Sequence, residues 1–157
     1  MSTQQSGSFN VDYHLGRFHR VSSRYGQAIR LHHKALTDLR ESLGPDHPET
    51  LRSSTALANS FYAAGHFQEA IALFGDTLER RARTLGPEHP DTLRSQGSLG
   101  NCYHATGDYE RAVSMHRQTL SLRERVLGHD HPSTQASRNN LEKAEKALQE
   151  NKNSNAQ

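Results

Sequence analysis

Leu43-Gly44-Pro45-Asp46-His47-Pro48-Glu49-Thr50-Leu51 reads as a joint between two helices. A glycine just past a helix end is expected to take the left-handed conformation that closes the last turn. Pro48 then stands where a first helical residue belongs, its missing N–H costing nothing there, with Glu49 beside the positive end of the next helix dipole. The stretch returns as Leu85-Gly86-Pro87-Glu88-His89-Pro90-Asp91-Thr92-Leu93, and in altered form as Leu127-Gly128-His129-Asp130-His131-Pro132-Ser133-Thr134. Gly44, Gly86 and Gly128 are evenly spaced by about 42 residues, inside the ~20–50-residue periods that mark stacked repeats.

Helices are expected between these joints. Ser8 can cap a first helix to about Val21, with Phe9, Leu15, Phe18 and Val21 as its apolar set; Ser22 or Ser23 caps a second from about Arg24 to Ser42. The second carries Ala28, Ile29, Leu31, Ala35, Leu36 and Leu39 on one wide stripe. A helix from Pro48 to about Ala64 is closed by Gly65, and its partner runs from about Phe67 to Thr84. The same pair recurs from Pro90 to Thr106, closed by Gly107, and onward from the Asp108 cap to Leu127. A last helix runs from Pro132 to about Glu150. Glu142, Glu145 and Gln149 stand there where earlier copies carry small residues, an aromatic and glycine, the wettable outer face of a C-terminal capping helix. The units are residues 8–49, 50–91 and 92–133, with a capping helix over 132–150 and polar tails, expected to be disordered, at 1–7 and 151–157.

Composition agrees with a thin stack. Hydrophobic residues make up 32%, and the 11 glycines raise this to about 39%, below the ~45–50% of ordinary globular domains. A net charge of +2 does not mark a polyanion binder, so any basic patch must come from placement. The single cysteine, Cys102, excludes an internal disulfide framework and suits a reducing compartment. No signal-peptide core precedes Asn10, and no apolar run approaches the ~18 residues of a membrane helix. The expectation is a cytoplasmic protein without a membrane span.

Inside the period, Leu57, Ala58, Phe61, Gly65, Phe67 and Ala70 match Leu99, Gly100, Tyr103, Gly107, Tyr109 and Ala112. The first unit keeps Leu15, Gly16, Tyr25 and Ala28, with His19 and Ser23 as departures. The small residue lets two helices approach, the aromatic fills the space beside it, and the glycine turns the chain. This pattern resembles the tetratricopeptide repeat. The Leu-Gly-Pro-Asp/Glu-His-Pro joint resembles the longer variety found in kinesin light chains and related bacterial and fungal proteins. The resemblance covers residues 8 to 150 and overrides the period, which alone points to HEAT or armadillo units. It implies an all-α, right-handed α-solenoid of antiparallel helix pairs, about seven helices in all.

Catalysis and metal binding find no support in the residues. His47, His89 and His131 stand one repeat apart, too far to share ligands at ~2 Å from one zinc, and are expected to pack or hydrogen-bond within their own joints. His32 and His33 are adjacent and face different ways; His116 shares the register of His32 and Phe74, an inter-helix position. Cys102 shares that of Ser60 and Ala144, a small inward position. Arg80, Arg81 and Arg83, with Glu79, read as a solvated face on an outer helix. No nucleophile–base pair and no phosphate-binding glycine loop is present, so neither catalytic nor metal-ligating residues are assigned and no cofactor is implied.

The resemblance further implies that the first helix of each pair lines a concave groove. Its positions are Arg17 and Arg20; Arg52, Thr55, Asn59 and Tyr62; Arg94, Gly97, Asn101 and His104; and Asn139, Lys143 and Lys146. No acid stands among them. Asparagine both donates to and accepts from peptide amides, and arginine grips carboxylates through two parallel bonds. The leading expectation is therefore a non-enzymatic adaptor holding a short acidic peptide. Nucleic-acid binding through the same stripe has thinner support, since only Tyr62 offers a stacking surface. Self-assembly through the end repeats, giving a structural spacer, is a third reading.

Overall fold

The computed structural model describes the backbone of residues 6–156 and the side chains of residues 23–156. Among the described residues six helices follow one another: α1 (Ser6–Leu43), α2 (Pro48–Ala63), α3 (Phe67–Leu85), α4 (Pro90–Ala105), α5 (Tyr109–Leu127) and α6 (Pro132–Asn155). Each packs on the next, and α4 also touches α6. That direct contact puts α4 and α6 on one layer, with α2 in the same register; the repeat resemblance makes this layer the inner one and that of α3 and α5 the outer.

Two expectations about helix boundaries change. The two helices expected before Ser42 are one, α1, which runs unbroken past Ser22 and Ser23. The turns that end α2 and α4 depend on Gly65 and Gly107 at φ 80° and 79°, and the residue in that register on α1 is Ser23. A side chain at positive φ costs roughly 1–2 kcal/mol, so the helix continues. The apolar set Phe9, Leu15, Phe18 and Val21 lies outside the residues whose side chains are described. At the other end α6 continues to Asn155, past the expected stop near Glu150.

The joints solve the problem of stopping one helix and starting another within a few residues. Gly86 has φ 97° and ψ 158°, so it is extended rather than left-handed helical as expected. Pro87 follows it, and a residue before proline is pushed toward extended ψ; with φ positive, that region belongs to glycine. His47, His89 and His131 are the N-caps of α2, α4 and α6. Each Nδ1 accepts from the backbone N–H two residues on, at 3.2 Å from Glu49, 3.1 Å from Asp91 and 3.1 Å from Ser133. Proline in the first helical position has no N–H, so the histidine serves the first donor that needs a partner. The histidines thus act singly, each inside its own joint.

The core is a narrow seam. Ala58, Ala70, Phe74, Leu99 and Cys102 are buried together, with Phe61, Tyr103 and Met115 against them; Ala112, Val113 and Ala144 continue it. His116 takes the register of Phe74 and is 2% exposed. It fits because Gly100 faces it: a Cβ there would stand 2.8 Å from the ring. Burial pushes the His116 imidazole down to about 4, with the nearby charges of His104 and Arg123 adding to the effect.

Arg81 is a correction to the reading of a solvated face, because it is 3% exposed. Its Nη1 donates to the Asp91 carbonyl at 3.3 Å and Ser95 Oγ at 2.7 Å, and its Nη2 to the Leu51 carbonyl at 3.5 Å. Arg123 repeats this one unit on, donating to the Ser133 carbonyl, Ser137 Oγ and the Leu93 carbonyl at 3.0, 2.8 and 3.4 Å. Each guanidinium on an outer helix therefore ties two successive inner helices together through neutral acceptors. The neighbouring Arg80 and Arg83 point instead to Asp46 in the preceding joint, as Arg125 does to Glu88.

Two outcomes are expected. An unfolded imidazole titrates near ~6.5, whereas native His116 resists protonation down to about 4. The unfolded chain therefore binds the extra proton in that window. The stability His116 contributes is complete above about pH 6.5 and falls as pH drops toward 4, by up to roughly 3 kcal/mol. Urea midpoints measured across that range should show a shallower pH slope in His116→Phe, which copies the residue at Phe74. Separately, Arg81→Ala should lower stability by about 2–4 kcal/mol, since it strands polar acceptors and opens a void. Arg81→Leu, copying Leu39 of the first unit, should recover part of that loss in the same assay.

Candidate partner-binding groove

The inner layer presents the expected positions in register. On α2, Arg52, Asn59 and Tyr62 are exposed and Thr55 is half-buried; on α4, Arg94 is exposed while Gly97, Asn101 and His104 are half-buried; on α6, Asn139, Lys143 and Lys146 are exposed. The side chains of Arg17 and Arg20 lie outside the described residues. Helical spacing puts each set on one face because residues three and four apart lie one above the other.

Several of these groups already have partners. Arg52 Nη1 is 3.0 Å from Glu49 and Arg94 Nη1 is 2.8 Å from Asp91, each acid one turn earlier on the same helix. The acids beside the groove are thus the ones that complement the dipoles of α2 and α4. Such exposed pairs are worth ~1 kcal/mol or less, so an incoming carboxylate can compete for the guanidinium. Thr55 Oγ1 donates to the Leu51 carbonyl at 2.9 Å, a bond within its own helix. Tyr62 meets Phe67 edge-on, ring centroids 5.4 Å apart, and His104 meets Tyr109 in the same way at 5.3 Å. These paired rings hold the two positions in one orientation from repeat to repeat. Lys146 lies 3.9 Å from Glu150.

Arg81, read from the sequence as part of a solvated face, and Arg123, for which the sequence suggested no role, both feel the charge of Arg94. Burial pushes Arg81 and Arg123 below the ordinary arginine range, and Arg94 pushes both the same way while Asp91 opposes it at Arg81. Neither Arg81 nor Arg123 has a carboxylate partner within ion-pair distance among the described residues. Arg94 and Arg123 together line a cavity of about 50 Å³ with Glu88, Leu93, Val126 and Ser133. The signal was present as a pattern: Arg81 and Arg123 are one period apart, as are Ser95 and Ser137, which receive their hydrogen bonds. Charge runs read one at a time conceal that recurrence.

Reactive chemistry has little to work with here. Cys102 is fully buried, and burial pushes its thiol up to about 11, which keeps it protonated and poorly nucleophilic. Among the described residues, no group of three or more His, Cys, Asp or Glu side chains gathers as a metal site would. No described helix is long and apolar enough to cross a membrane.

Comparison with known proteins agrees with this architecture. The tetratricopeptide repeat profile matches residues 7–82 and 67–125. Among solved structures, nearly identical TPR-like repeats assigned to a kinesin light chain of Podosopora anserina superpose with a TM-score of 0.75 at 29% identity, over 93% of this chain and 69% of that one. A glutamine-to-methionine variant of the same repeats gives a TM-score of 0.76 at 28% identity, covering 94% and 69%. BtubC (BKLC) from P. vanneervenii shares the fold at a TM-score of 0.73 and 23% identity, over 80% of this chain and 50% of that one. No curated protein sequence matches the chain. The repeated joints, the small-residue and aromatic seam, the profile match and the kinesin light chain-like neighbours converge: the chain belongs to the tetratricopeptide repeat family.

Proposed function

We propose that this protein is an interaction module that holds a short acidic peptide segment along α2, α4 and α6. The fold by itself supports a protein–protein interaction module; the preference for acid comes from the inner wall. The observation that carries it is the exposure of Arg52 and Arg94 one period apart on α2 and α4, in register with Asn59 and Asn101, with the half-buried Arg123 lining a small cavity beside Arg94. A peptide carboxylate competes with Asp91 for Arg94 and can grip the guanidinium through two parallel bonds. Arg52 and Asn59 precede Arg94 and Asn101 by one unit, and Lys143 follows at the register of the asparagines. An extended peptide at ~3.3 Å per residue can therefore meet equivalent groups at each inner helix.

The test is a titration of fluorescein-labelled Asp/Glu-rich peptides against the native chain and against Arg52→Glu with Arg94→Glu. Affinity is expected to fall at least about tenfold in the reversed-charge protein, and native binding is expected to weaken as added salt shortens the screening length. Equal affinity in both proteins would remove the groove from the account. Tighter binding of single-stranded RNA than of the peptide would favour the nucleic-acid reading.

A further inference from the structure

The outer helices of the three units carry equivalent residues but are not equally covered. Ala70 and Thr77 on α3, and Ala112 and Thr119 on α5, are fully buried or nearly so. The corresponding Ala28 on α1 is half-buried and Ala35 is exposed. Leu31, in the register of Leu73 and Met115, is 63% exposed. His32 is half-buried, its Nδ1 held 2.8 Å from Ser60 Oγ on α2, whereas its counterparts Phe74 and His116 are sealed. Among the described residues, one side of α1 is thus packed on α2 and no helix covers the other.

In the later units that cover is the preceding inner helix, α2 over α3 and α4 over α5, turned back at Gly65 and Gly107. The corresponding stretch of the first unit, residues 8–21, has the inner-helix sequence: Leu15-Gly16 stands in the register of Leu57-Ala58 and Leu99-Gly100. It is joined to α1 without a turn, because Ser23 occupies the glycine position and α1 is unbroken from Ser6 onward. A segment that extends along its own helix cannot lie across that helix's open face. The same segment of a second molecule can.

We propose that two copies of this chain pair by exchanging residues 8–21, each laying its segment on the open α1 face of the other. Within a repeat, Gly100 lies against the His116 ring; between copies the corresponding pair is Gly16 and His32. Two antiparallel α1 helices meeting in that register have their two-fold axis beside Arg24, so one contact made twice closes the assembly. Leu31 and Ala35 are buried by the exchange, and the inner groove on α2, α4 and α6 stays free. The pairing stands independently of what the groove binds.

Sedimentation of the full chain over a wide concentration range should give twice the 17.6 kDa chain mass, dissociating on dilution. Ser23→Gly, which restores the turn, should shift the protein to monomer, and Leu31→Glu should do so without touching the turn. In a Cys102→Ser background, differently tagged Gly16→Cys and His32→Cys chains are mixed and oxidised. A disulfide joining the two tags is expected, and far less of it when both also carry Ser23→Gly. Three results would each overturn the proposal: monomer mass at every concentration, a dimer unaffected by both Ser23→Gly and Leu31→Glu, or a dimer that forms no link between the tags. The circular dichroism of each variant shows whether the helices persist, so unfolding cannot pass for dissociation.

Discussion

Each of α2, α4 and α6 must begin within a few residues of where the preceding helix ended, and the donors and acceptors freed there have to be satisfied. The glycine leaves the old helix at positive φ, proline opens the new one without an N–H, and the histidine before it accepts from the next donor. Unpaired backbone groups are costly wherever water is excluded. Because the same few residues answer the same demand at three joints, the helices return at a constant spacing, and side chains one period apart come to share a wall.

That spacing also explains a core with little hydrocarbon in it. Each helix touches its neighbours along a seam one or two side chains deep, so small residues at Ala58, Gly100, Cys102 and Ala144 set how closely the helices approach. Where another fold would add apolar bulk, this one uses Arg81 and Arg123 to bond the carbonyls of two successive inner helices. A buried cation with neutral partners is expensive in isolation. Here its hydrogen bonds fasten one repeat to the next, and its charge adds to the potential of the inner surface under Arg94.

The first unit departs from these local rules at two positions. Leu39 stands where Arg81 and Arg123 act, and Ser23 where Gly65 and Gly107 turn the chain. Without the turn glycine, two expected helices merge into one, and among the described residues the side of α1 around Leu31 and Ala35 is without the cover that the other units possess. A single permissive glycine thus decides whether an inner helix covers its own neighbour or extends away from it.

The residues alone determined the period, the joints, the all-α class and the solenoid, because caps, turn glycines and apolar spacing act over a few neighbours and repeat. They also placed His47, His89 and His131 in separate joints and Cys102 in the interior. Tertiary structure decided the rest: that Arg81 is buried while Arg80 and Arg83 reach Asp46, and that Arg81 and Arg123 each bond two successive inner helices. Adjacent letters of one charge run face different sides of a helix. Which side meets a neighbour, and which carbonyls wait there, depends on how the helices cross, and no local stretch of sequence contains that geometry.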